Sequence, residues 1–223
     1  MTDKYSINPD IALMYIARII AFLTAIPLHE TAHAYVSYKL GDSTAKDMGR
    51  ISLNPAKHFD LLGALFMLFV GFGWAKPVPI NTRYYENKKI SMALSSFAGP
   101  LSNFLLTFIT VMIYKIIYII HMVHNSSFII YCIMVILEYM IAININLTIF
   151  NMLPIPPLDG SRIFLLFLPE RTYFSIMKYE RYIMLALFLL ISSGVLNGVL
   201  ARLQIFMYTL MSNATIFIDM LFT

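Results

Sequence analysis

Charge is scarce in this sequence. Asp, Glu, Lys and Arg supply 13% of its 223 residues, about half the roughly 25% of an ordinary soluble domain. Hydrophobic residues supply 59%. A water-soluble globule of this size could not cover its surface with so few charges, because not all of that apolar area can face inward. The chain therefore needs lipid. Also missing is any polar block long enough to fold separately in water, so one membrane-embedded domain over residues 1–223 is expected. The opening residues, MTDKYSINPD, hold two acids and lack both a cationic start and a small-residue cleavage site, so the first apolar stretch is expected to be retained structure. Cysteine is nearly absent. Cys132 stands alone, which excludes an internal disulfide and a cysteine-based metal cluster; its apolar surroundings suit a small buried hydrophobe. The net charge of +4 is scattered along the chain and makes no footprint for nucleic acid.

Long apolar runs are what the sequence does have. Residues 10–40 read as one helix, with a kink admissible at Pro27, and at about 1.5 Å per residue it exceeds the hydrocarbon core. Gly41 follows as a C-terminal stop. Residues 91–121, 128–153 and 181–198 are long enough to span, and 203–222 either spans or lies at the interface. The run 61–74 is too short to cross and suggests a re-entrant or shallow element. After it, Lys76-Pro77-Val78-Pro79-Ile80 excludes helix interior and admits an irregular or edge strand. The expected fold is an all-α multi-pass membrane protein of about five spanning helices, with a short re-entrant or β segment near the active site. Its core would cover about residues 10–165, with additional C-terminal helices over about 181–222.

Cytoplasmic loops are enriched in Lys and Arg. The loops 42–58, 81–90 and 169–181 are basic, whereas 121–127 holds neither residue. Placing the basic loops inside gives an orientation that alternates across every intervening span and puts the N-terminus outside. Lys4 is the single charge against it.

His29-Glu30-Thr31-Ala32-His33 is the strongest short signal. Residues four apart on a helix share a face, so both imidazoles can grip one ion. Glu30 can reach a water on the metal without itself being a ligand. Zinc lowers the pKa of such a water to about 7, and a nearby carboxylate can take its proton during attack on a carbonyl. Ionisable groups in a lipid-buried helix are costly, which argues against two incidental histidines.

A catalytic zinc wants three protein ligands and one open position. The third candidate is Asp159, in Asn151-Met-Leu-Pro-Ile-Pro-Pro-Leu-Asp159-Gly160. Pro154, Pro156 and Pro157 break the helix, and irregular backbone at membrane depth is tolerated only where protein or a watery cavity satisfies it. His29 and His33 lie on the order of 12 to 18 Å before the cytoplasmic end of their helix. Asp159 follows a helix that ends on the same side. The two motifs therefore converge on the inner half of the bilayer.

HETAH with NMLPIPPLDG resembles the site-2 protease family of intramembrane zinc metalloproteases, as do GRISLNPAKHFD (49–60), GWAKPVPIN (73–81) and GPLSN (99–103). The resemblance covers roughly residues 25 to 165 and is to compact members. It implies one zinc per chain on His29, His33 and Asp159, Glu30 as general base, and Asn151 as the group orienting the substrate carbonyl. It further implies a transmembrane protein substrate within the lipid bilayer and an active site open toward the cytoplasm. The PDZ or CBS modules that many relatives use for regulation are absent, so an unidentified regulatory partner is expected. Val78, on the proline-flanked stretch, is a candidate for pairing with extended substrate by strand addition. Asn144 shares a helix face with Asn151 and is either a second substrate contact or a helix-packing hydrogen bonder.

Other polar residues suggest lesser roles. Arg18 must face the bundle or snorkel, Glu138 calls for an interhelical partner, and His58 with Asp60 suits a loop organiser. His121 and His124 flank the outer loop. Two other functions fit a zinc-binding membrane chain. A transporter or sensor needs ligands along a path to both sides, and the outer half offers only His121 and His124. An inactive scaffold would not keep a full ligand set beside Glu30.

Overall fold

A computed structural model describes residues 9–60, 62–63, 65, 75–123 and 127–221. Helix dominates these residues and no strand forms among them. In chain order the helices are α1 (Pro9–Lys39), α2 (Thr44–Asp47), α3 (Lys88–Val123), α4 (Phe128–Asn151), α5 (Asp159–Phe164), α6 (Glu170–Met177), α7 (Glu180–Ser192), α8 (Asn197–Ala214) and α9 (Ile216–Leu221). Among the described residues, α1, α3 and α4 are long and apolar enough to cross a membrane. They pack against one another as a three-helix core.

The packing follows a four-residue rhythm. Ala17, Ala21, Ala25, His29, His33 and Ser37 are all buried along α1, and Ser91, Ser95, Gly99, Asn103, Thr107 and Val111 along α3. Small residues let helix backbones approach closely where lipid supplies no hydrophobic drive for helices to associate. The large aliphatics point the other way: Leu101, Leu105, Ile109 and Ile113 of α3 are exposed, as a lipid-facing stripe requires. On α4 the inward face carries Ile141, Ile145 and Ile149 together with Asn144 and Thr148. Helix α1 continues through Pro27. Arg18 lies 5.7 Å from the Tyr139 ring centroid, and Tyr114 donates to Glu138 at 2.8 Å, so these two in-span charges find partners on neighbouring helices. Cys132 is only half-buried.

The C-terminal third departs from expectation. Residues 181–198 read as a span of their own, with 203–222 either spanning or lying at the interface, but α7 has 13 residues, about 20 Å against a hydrocarbon core of about 30 Å. Gly194, at φ +77, ends it, in the left-handed conformation that stops helices. The chain then turns by 85° into α8 and α9. The pair therefore makes at most one crossing, giving three crossing helices, or four with the bent pair, among the described residues. Lys115 of α3 holds this unit through Asp219 and the Ser212 carbonyl.

Most of 61–74, the expected re-entrant element, lies outside the described residues. The stretch 75–81 runs without helix and without a strand partner, as Pro77 and Pro79 require, each lacking an N–H. It is tied down at both ends. Lys76 donates to the His58 carbonyl at 3.0 Å and accepts from Arg50 Nη2 at 2.6 Å, while Asn81 N–H donates to Asp42 Oδ2 at 2.7 Å. His58, 1% exposed, bonds through Nε2 to the Ser52 carbonyl at 2.7 Å, and Thr31 of α1 donates to the same oxygen. His58 thus organises its loop.

Candidate metal centre

The four-residue spacing on α1 presents His29 and His33 to α3 and to the start of α5. Helix α4 ends at Asn151, the proline-rich turn reverses the chain, and Asp159 opens α5. Since α1 and α4 run side by side, with Phe22 and Ile26 packed on Leu147, the C-terminal end of α4 arrives at the level of His29 and His33 on α1 and brings the two motifs together. Nε2 of His29 and Nε2 of His33 lie 3.0 Å apart, and each lies 3.2 Å from Asp159 Oδ2.

What surrounds the rings decides what those three atoms are. His33 Nδ1 sits 2.7 Å from the Ser95 carbonyl, which can only accept, so Nδ1 carries the hydrogen. His29 Nδ1 donates to Asn103 Oδ1 at 2.7 Å; the amide orientation follows because Asn103 Nδ2 donates to Asn144 Oδ1 at 2.8 Å. With the hydrogens on Nδ1, neutral rings turn bare Nε2 lone pairs toward each other and toward a carboxylate oxygen. Three acceptors at such range repel unless a cation lies among them. Tetrahedral zinc ligands at about 2.0–2.1 Å from the ion lie about 3.3 Å apart, close to the 3.0 and 3.2 Å seen here. The residues fit a zinc ion. The outward hydrogen bonds are the kind that fix ligating histidines.

Two glycines make room for this. A Cβ on Gly99 would lie 2.3 Å from His33 Nε2, and one on Gly160 would lie 2.4 Å from the Met152 carbonyl group. Gly99 lets α3 reach the rings, and Gly160 lets α5 fold back on the turn that follows α4.

A cavity of about 200 Å³ opens on the centre and is lined by His29, Glu30, His33, Val78, Ser96, Asn151, Asp159 and Arg162, among others. Glu30 Oε2 accepts the Val78 N–H at 3.0 Å, so the stretch 75–81 crosses directly over the candidate base. Asn151 reaches the cavity from the last residue of α4. Asn144 does not line it: fully buried, it donates to the Met140 carbonyl and accepts from Asn103. Of the two readings open for Asn144, these bonds fit the helix-packing hydrogen bonder. Burial of α4 against α3 turns its side chain to Asn103, one helical face away from the opening.

Sequence reasoning left Asn103, Ser95, Ser96 and Arg162 without roles. Asn103 stands in the GPLSN block, four residues after Gly99 and in phase with Ser95, and that phase was the available signal. Ser95 acts on His33 through its backbone carbonyl, which no residue type advertises. Among the described residues, His29, His33 and Asp159 are the one group able to hold a metal ion.

Comparison with known proteins identifies the family. The sequence model of Peptidase family M50 matches residues 113–194. The "Putative zinc metalloprotease YwhC" of Bacillus subtilis is 39% identical over 161 residues, 72% of each chain. The "Putative zinc metalloprotease Rip2" of Mycobacterium tuberculosis is 24% identical over 192 residues, 83% of this chain and 70% of that one. Rip2 of Mycolicibacterium smegmatis is 25% identical over 154 residues, 66% and 55% of the respective chains. No solved structure matches. The extent of the YwhC match, with the family model over residues 113–194, makes this chain a member of peptidase family M50, the site-2 protease family, and a membrane metalloprotease.

Proposed function

We propose that this chain hydrolyses peptide bonds in or beside transmembrane segments, as a single domain carrying one zinc on His29, His33 and Asp159. The observation that carries the reading is the convergence of three acceptor atoms within 3.0–3.2 Å of one another, in a cavity that also holds Glu30. When bound, zinc supplies Lewis acidity, polarising the scissile carbonyl and making water nucleophilic near neutral pH. Glu30 takes a proton from the attacking water as the carbon–oxygen bond forms. It returns that proton to the departing nitrogen as the carbon–nitrogen bond breaks. Asn151, on the cavity wall, donates through its amide to orient the carbonyl. The stretch around Val78 receives the substrate in extended form, after the substrate helix unwinds to expose its peptide bonds. Asn103 and Ser95 keep the two rings from rotating.

The substrate is a membrane protein, and an unidentified partner regulates access. The cavity opens toward the cytoplasm, an orientation that rests on the basic loops 42–58, 81–90 and 169–181. A transporter fits less well, because the candidate ligands form one cluster among the described residues and no second one toward the other face.

Glu30→Gln tests the proposal, since it keeps size and leaves all three ligands intact. Zinc content of the purified variant should match wild type, while cleavage of a co-expressed substrate falls at least about 10²-fold. A zinc-loaded wild-type protein that cleaves none of a broad panel of single-span substrates, yet moves zinc across liposomes, would overturn the reading in favour of transport.

A further inference from the structure

The cavity contains two polar groups that the proposed reaction leaves idle. Ser96 of α3 is 1% exposed, and its hydroxyl has no hydrogen-bond partner. Arg162 follows Asp159 by one turn of α5. Its Nε is buried without a partner, and Nη1 meets the Met92 sulfur at 3.7 Å, a weak acceptor. Among the described residues no carboxylate lies within ion-pair distance of Arg162. A guanidinium stays charged and presents five donors in a planar fork.

The charges around the cavity do not cancel. A divalent ion, when held at the centre, would be balanced by Asp159 and Glu30, leaving Arg162 among the cavity-lining residues in excess by one positive charge. Arg162 is half-buried with Nε unpartnered and a weak sulfur acceptor on Nη1, so the complementary occupant of this wall is an anion. A planar fork matches a carboxylate through two parallel hydrogen bonds, and Ser96 offers a further donor on the same cavity wall.

We propose that Arg162 and Ser96 form a carboxylate subsite that sets specificity, taking either an acidic side chain near the scissile bond or the carboxylate at a chain terminus. The proposal rests on the catalytic reading of the cavity. Arg162 does more than pack α5 against Met92: packing would require neither its charge nor its fork.

The test is isothermal titration of the zinc-loaded full chain in detergent with peptide hydroxamates. The hydroxamate seats the probe on the metal, and its peptide arm carries Glu or Gln at successive positions, or a free or amidated C-terminus. At one position the acid should bind at least about tenfold tighter than its amide, equivalent to 1.4 kcal/mol. That preference should fall to near unity in Arg162→Gln, survive in part in Arg162→Lys, and weaken a few-fold in Ser96→Ala. The neutral-arm probe should bind all of these variants as it binds wild type. A preference confined to the free C-terminus identifies a terminal carboxylate as the ligand, and one confined to Glu identifies a side chain. An acid-to-amide ratio near unity at every position, or one unchanged in Arg162→Gln, overturns the subsite. Failure of the neutral-arm probe to bind zinc-loaded wild type would instead overturn the catalytic reading, and this inference with it.

Discussion

Asn103 is the residue whose contribution is easiest to underrate. It touches no substrate-facing surface, yet its carboxamide links His29 to Asn144 across three helices. Its oxygen fixes the His29 tautomer, and its nitrogen is fixed in turn by Asn144, so the relay orients a candidate ligand that a free ring would leave to rotate. Asn103→Leu, similar in size but without an acceptor, should weaken zinc affinity by about 10 to 100-fold, the usual cost of losing such a partner. Asn103→Asp, which keeps the acceptor, should recover much of that loss. Competition titration against a chelator measures both, and equal affinity in the Leu variant would remove Asn103 from the site.

The far end of the loop bearing Val78 is held by one carboxylate just beyond α1. Asp42 accepts from Asn81 N–H, Thr44 N–H and Ser37 Oγ at 2.7, 3.0 and 3.1 Å. Burial raises its pKa, but hydrogen bonds from Thr44, Asn81 and Ser37 outweigh burial and hold it below the ordinary 3.8. A carboxyl depressed in the folded state stabilises the loop fully above 3.8 and loses that contribution as pH falls through its lower folded value. Hydrogen-exchange protection over 75–85 should therefore hold steady from neutral pH down to 3.8 and decline below it. Asp42→Asn should be less protected throughout and lack the acid step; a step that persists in that variant would assign the effect to another carboxyl. This loop also marks where sequence reading stops. The long helices were legible because apolar runs of spanning length stand between polar loops, and HETAH because its spacing alone puts two rings on one face. Asp159 was legible through the prolines before it. The Ser95 carbonyl, the Val78 N–H over Glu30 and the Gly194 break were not. The first two are backbone groups that any residue carries, and hydropathy averaged across Gly194 hides one left-handed residue.

On the scale of the whole molecule, the centre is a joint between two parts of the chain that enter the membrane separately. Its histidines come with α1 and its carboxylate comes after α4, so the convergence requires both helices to end on the same side. Cysteines introduced into 42–58 and 169–181 should label only from the cytoplasm, and one near Asn125 only from outside. Labelling of the first two from opposite faces would break the proposed orientation. The stretch over Glu30 has a consequence beyond one molecule. Of the six residues from Lys76 to Asn81, two prolines have no N–H and three others have theirs committed to His58, Glu30 and Asp42. Ile80 alone retains an amide outside those bonds. Edge-to-edge pairing needs alternating donors and acceptors on both sides, and this edge offers mainly acceptors. Two copies of the protein meeting in the crowded plane of a bilayer would find few donors to exchange along it, so under the proposed function it is the incoming substrate that must bring the N–H groups.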